Sequence, residues 1–92
     1  MEMTRLSLPA VCDLAATKPL AELLAALQTG HVELDGSGVE RISTPGAQAL
    51  AAARFAYASK GFQLTISEPS EAMVLALVEL GLGAAVLEDR AL

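Results

Sequence analysis

Stretches in which polar and apolar residues alternate recur along this chain. Each is followed by a stretch in which apolar residues return every three or four positions. Thr4-Arg5-Leu6-Ser7-Leu8, His31-Val32-Glu33-Leu34-Asp35 and Phe62-Gln63-Leu64-Thr65-Ile66-Ser67 are of the first kind and read as strands with one apolar face. Leu20, Leu23, Leu24 and Leu27 are of the second kind and read as the buried face of a helix. Ala47, Leu50, Ala51 and Phe55 give the inward stripe of a second helix, from about Pro45 to Ser59. Val74, Leu77, Val78 and Gly81, widened by Met73 and Leu80, give that of a third. Strands alternating with helices demand an α/β fold with a mostly parallel sheet. The expected order is β, (β), α, β, α, β, α, β, with a very short second strand at Ala10-Val11-Cys12 and a last one at Ala84 to Leu87.

The punctuation agrees. Pro9 ends the first strand or puts it at an edge. Asp13 or Thr17 could cap the first helix, with Pro19 in its first turn. Gly30 and Gly61 are helix stops, and Gly81 and Gly83 end the third helix. Val39 and Ile42 anchor the loop after Gly36-Ser37-Gly38 to the core. Glu68-Pro69 breaks the chain, and Ser70 caps the third helix with Glu71 near the positive end of its dipole. With 92 residues and no linker or repeat, residues 1–92 read as one domain.

Composition excludes several function classes. The formal charge is −5, and the six basic residues (Arg5, Lys18, Arg41, Arg54, Lys60, Arg90) are scattered. Phosphate backbones and anionic membranes require clustered cations, so neither nucleic acid nor direct membrane insertion is expected. Cys12 is the one cysteine; it reads as a small buried hydrophobe and cannot form an internal disulfide. The start, MEMTRLSLP, has no apolar run behind a basic segment. The longest apolar tract, Ala72 to Leu87, is broken by Glu79, Gly81 and Gly83 and falls short of the ~20 residues of a spanning helix. A cytoplasmic location is expected.

Few residues offer chemistry. His31 stands alone at a strand edge, and Glu33 and Asp35 share one strand face that reads as solvated. Asp35 is the better placed of the two, because ligand sites in open α/β sheets gather at strand C-termini. Gly36-Ser37-Gly38 lacks the spacing and the lysine of a phosphate loop. No nucleophile, base and orienting group can be assembled, so neither an enzyme nor a cofactor is expected. Ser43-Thr44-Pro45-Gly46 opens the second helix. Pro45 in first helical position makes Thr44 the natural cap. Ser43 or Thr44 could instead accept a phosphoryl group, which a helix N-terminus accommodates.

The segment LDGSGVERISTPGAQAL resembles the STAS family, named for sulfate transporters and anti-sigma factor antagonists. Leu34-Asp35, Ser37, Val39, Ile42, Thr44 and Gly46 stand where the family pattern places a strand-ending Asp, a loop and a hydroxyl-Gly helix start. GFQLTISEPSEAMVLALVELGL is similar to the family's next strand, turn and third helix. The resemblance implies a mostly parallel sheet of four to five strands with about three helices packed on it.

It also implies a non-catalytic regulatory module that binds a protein: a histidine-kinase-like ATPase, an anti-sigma factor, or a kinase of bacterial chemotaxis. Phosphorylation would break that contact. By position Thr44 matches the phosphoacceptor. Ser43 stands where the family has an Asp, and Pro45 where it has a small residue. The implied partner surface comprises Asp35, Ser37, Glu40, Arg41, Ser43, Thr44, Pro45, Gly46 and Gln48. The alternative is an accessory subunit that binds the ATPase of an ABC-type phospholipid transporter.

Overall fold

In a computed structural model, which describes residues 3–27 and 30–87, the first alternating stretch forms strand β1 (Met3–Ser7). Then follow β2 (Val11–Cys12), α1 (Leu14–Ala26), β3 (His31–Asp35), β4 (Arg41–Ile42) and α2 (Thr44–Ser59). The remaining elements are β5 (Leu64–Ser67), α3 (Glu71–Glu79) and α4 (Gly83–Leu87). The described strands make two sheets, both parallel. One runs in the order β1-β3-β5 and the other pairs β2 with β4. The expected four to five strands are therefore divided between a principal sheet and a small ladder.

Register sorts the side chains of the principal sheet by polarity. Leu6, Leu34 and Ile66 are aligned, as are Thr4, Val32 and Leu64. Val32, Leu34 and Leu64 cluster with the buried residues of the helices, among them Leu24, Leu50, Met73, Leu77 and Val86. Since strand side chains alternate, Arg5, Glu33 and Thr65 fall on the opposite face, with Ser7, Asp35 and Ser67 in the next row.

The helices depart from the expected faces. In α1, Asp13 is the cap, its carboxylate accepting from the Ala16 N–H at 2.8 Å. Pro19 therefore lies inside the helix rather than in its first turn. Thr17 is buried, its hydroxyl donating to the Asp13 carbonyl, while Leu23 is exposed. In α2 the buried residues are Gly46, Ala47, Leu50 and Tyr57, and Phe55 is 77% exposed. At 100° per residue, Tyr57 lies about 20° from Leu50 around the helix and Phe55 about 140°. Tyr57 is wholly buried and its hydroxyl donates to the Leu24 carbonyl at 2.6 Å, tying α2 to α1; burial pushes its phenol pKa up. In α3 the buried pair is Met73 and Leu77, and Val78 and Leu80 face outward.

Ala84 to Leu87 forms part of α4 rather than a strand. The Leu64 carbonyl of β5 is taken by Arg54 Nε at 2.8 Å, and Arg54 Nη1 also reaches the Ala85 carbonyl. A side chain thus occupies an acceptor that a further strand would have used. α2 and α3 both end in a Schellman motif. Phe62 N–H returns to Tyr57 and Leu82 N–H to Leu77, across Gly61 (φ +81°) and Gly81 (φ +72°). His31 is half-buried: Nδ1 accepts from Gln63 N–H at 2.9 Å, and the ring meets Phe62 edge-on.

Tyr57→Ala should cost about 3–5 kcal/mol of stability, and Phe55→Ala less than about 0.5 kcal/mol. Urea denaturation followed by circular dichroism measures both. Equal costs would show that α2 is not rotated as described.

Candidate docking surface

The surface begins where β3 ends. Asp35 Oδ1 accepts from the Ser37 N–H at 2.8 Å. The Ser37 backbone and hydroxyl, with a lesser contribution from the Arg5 charge, hold this carboxyl below the ordinary Asp value. Gly36 is a junction: its N–H donates to Ser67, and its carbonyl accepts from Val39 and Ser70. A side chain there would meet Met73 Sδ at 3.0 Å and Pro69 Cα at 3.2 Å. Val39 and Ile42 are buried as expected. The loop's outer side, with Ser37, Glu40 and Arg41, stays exposed. Glu40 and Arg41 donate their N–H groups to the Ala10 carbonyl, which leads the chain into β4 beside β2.

The start of α2 follows at once. Ser43, not Thr44, is the cap: its hydroxyl oxygen accepts from the Gly46 N–H at 3.3 Å, and its carbonyl accepts from Ala47. Ser43 also donates its N–H to the Cys12 carbonyl at 3.0 Å. Its placement is therefore set by β2, a contact that local sequence does not announce. Gly46 is buried against the same carbonyl; a Cβ there would lie 1.9 Å from Cys12 O. Thr44 and Pro45 open the helix and are exposed, and the Thr44 hydroxyl makes no hydrogen bond among the described residues.

The predicted residues thus divide by role. Ser37, Glu40, Arg41, Thr44, Pro45 and Gln48 are exposed; Asp35 and Ser43 are half-buried and hold the backbone; Gly46 is buried and lets the helix approach. Phe55 was missed as a surface residue. With Gln48 and Ala52 it continues the exposed side of α2. The seven-residue spacing of Leu50 and Tyr57 was the signal that would have placed it outside.

Elsewhere the chemistry is sparse. A groove on the polar sheet face is lined by Arg5, Ser7, Glu33, Asp35, Ser67 and Glu68. Glu33 pairs with Arg5 at 3.1 Å and Asp35 with its own loop. Among the described residues no His, Cys, Asp and Glu group could hold a metal ion. Cys12 is buried, and burial, aided by the Asp13 charge, pushes its thiol pKa up. No helix of the described residues is long and apolar enough to cross a membrane.

A family model described as "Mlab, STAS domain" matches residues 2–88 of the 92. Comparisons with curated proteins and with solved structures returned no match.

Ser43→Ala should lower stability by about 1 kcal/mol and Thr44→Ala by less than about 0.5 kcal/mol. Gly46→Ala, which must displace backbone, should cost about 3 kcal/mol or more. Thermal or chemical denaturation of the three variants gives the ranking, and a costlier Thr44 would return the cap to that residue.

Proposed function

The chain belongs to the STAS family, whose domains are generally non-catalytic and bind proteins, and we propose that it is a regulatory module docking through the start of α2. The partner class is a histidine-kinase-like ATPase or an anti-sigma factor, and a chemotaxis kinase falls within it. The observation that carries this reading is the unengaged hydroxyl of Thr44. It stands exposed at a helix N-terminus whose capping is already supplied by Ser43. Ser37, Glu40, Arg41, Pro45 and Gln48 surround it in sequence and are exposed, and Phe55 adds an aromatic anchor further along α2.

A phosphoryl group on Thr44 would add a charge of about −1.5 to −2. The helix dipole favours that charge in the free chain. In a closed interface the same charge must be desolvated, so phosphorylation releases the partner.

Two residues favour a second reading. Ser43 stands where the family has an acid, and Pro45 follows Thr44. Both suit a permanent accessory subunit on the ATPase of a phospholipid transporter, docked through the same surface and never phosphorylated.

Binding to candidate ATPase, kinase and anti-sigma proteins from the same genome tests both. Thr44→Glu should weaken the complex by about tenfold or more, about 1.4 kcal/mol; undiminished affinity would remove this surface from the interface. Intact mass after incubation with a candidate kinase and ATP separates the two readings: one added phosphate, lost in Thr44→Ala, supports the switch, and an unmodified chain in a stable complex supports the subunit.

A further inference from the structure

Between its terminal residues Glu71 and Glu79, the helix α3 is apolar all round. Ala72 to Val78 reads Ala-Met-Val-Leu-Ala-Leu-Val, and a helix of that composition is ordinarily enclosed on every side. Here only one side is. Met73 and Leu77 are wholly buried, whereas Leu75 is 58% and Val78 64% exposed. Three residues apart, these two stand on one side of the helix. The apolar surface runs on toward α4, where a Cβ on Gly83 would lie 3.7 Å from Val78 Cγ2 and where Ala84 and Ala85 are exposed.

Charge brackets this stripe. Glu71 precedes Leu75 by one turn and Glu79 follows it by one turn, and both are exposed. α3 contains no Lys or Arg, and α4 no charged residue. Two cations stand beside these elements: Arg41 in β4, which packs on α3, and Arg54 of α2, whose Nη1 is held on the Ala85 carbonyl of α4. A second copy of the chain is a poor occupant. Two α3 helices laid parallel bring Glu71 to Glu71, and laid antiparallel bring Glu71 to Glu79, so like charges meet in both arrangements.

We propose that Leu75 and Val78, between Glu71 and Glu79, form a docking stripe for a protein segment that presents apolar side chains flanked by Lys or Arg. Opposite charges at the rim guide such a segment, and the apolar pair supplies the contact it buries. The stripe lies on a different helix from Thr44 and does not depend on docking through α2.

The test is an NMR titration of the isotopically labelled full chain with two synthetic amphipathic peptides, one of leucine and lysine and one with every lysine replaced by glutamate. The lysine peptide should shift amides of α3 and the start of α4. Its affinity should fall about tenfold or more in a Leu75→Ser, Val78→Ser double variant. It should also fall severalfold in Glu71→Gln, Glu79→Gln and when salt is raised to about 1 M, where charges are screened beyond ~3 Å. Thr44→Glu should leave it unchanged, which separates this stripe from the α2 surface. Denaturation curves confirm that each variant is folded. The proposal is overturned by equal binding of the glutamate peptide, or by no shifts at about 1 mM, the weak end of specific affinity. Shifts confined to Glu33 and Asp35 on the sheet face would also overturn it. So would a dimer in sedimentation that the Leu75→Ser, Val78→Ser variant abolishes, because the occupant would then be a second copy.

Discussion

The N-terminus of α2 rests on the backbone of Cys12, and only a glycine lets it do so. A Cβ at Gly46 would lie 1.9 Å from the Cys12 carbonyl oxygen and 2.8 Å from its carbon, with the Asp13 nitrogen 3.5 Å away. That carbonyl accepts from the Ser43 N–H, and more distantly from its hydroxyl. Asp13, the next residue, caps α1. Both long helices therefore start from one patch of backbone on the β2-β4 ladder. Further along they are joined again, where the Tyr57 hydroxyl of α2 meets the Leu24 carbonyl of α1. A pair fixed at two separated points cannot slide, and this is what sets Thr44 in place at the surface.

A parallel sheet normally has both faces covered. The β1-β3-β5 sheet packs its Leu6, Val32, Leu34, Leu64 and Ile66 face toward the helices, and turns Arg5, Ser7, Glu33, Asp35 and Ser67 the other way. Polar rows suit that face to water rather than to a second helical layer. The Arg5–Glu33 pair on that face adds little, because the Arg5 side chain is 78% exposed and solvent-screened pairs contribute about 0–1 kcal/mol. The sheet is held by its other side.

How much of this was legible in sequence depended on contrast and on locality. The β3 strand, the buried Val39 and Ile42, the Ser70 cap and the glycine exits at Gly61 and Gly81 were all legible, because each follows from residues within one turn of chain. The inward face of α2 was not. Alanine fills so much of that helix that two large residues, Phe55 and Tyr57, competed for the core, and the spacing from Leu50 alone decides between them. The face of α3 was obscured for the opposite reason, since every residue between Glu71 and Glu79 is apolar. The cap on Ser43 and the helical Ala84-Ala85 depend on partners 31 residues away in sequence, Cys12 and Arg54 respectively, which no local pattern reveals. For the candidate surface, the loop and the helix start were legible as local structure, but which of their residues support the backbone and which face solvent was not.

The division between Ser43 and Thr44 changes what the α2 surface can do. A hydroxyl that caps a helix is not free for another task without loss of stability. Had Thr44 been the cap, the proposed docking and phosphorylation would each have disturbed the fold. With the cap on Ser43, contact or modification at Thr44 leaves the helix start intact. Gly36 extends that rigidity. Its backbone holds Ser67, Val39 and Ser70 together, and the Ser70 hydroxyl bonds the Val39 carbonyl. The loop that leads to Thr44 and the first turn of α3 are thereby parts of one assembly. Under the proposed docking, neither has to be ordered when a partner arrives, which removes an entropic cost that a flexible loop would impose on binding.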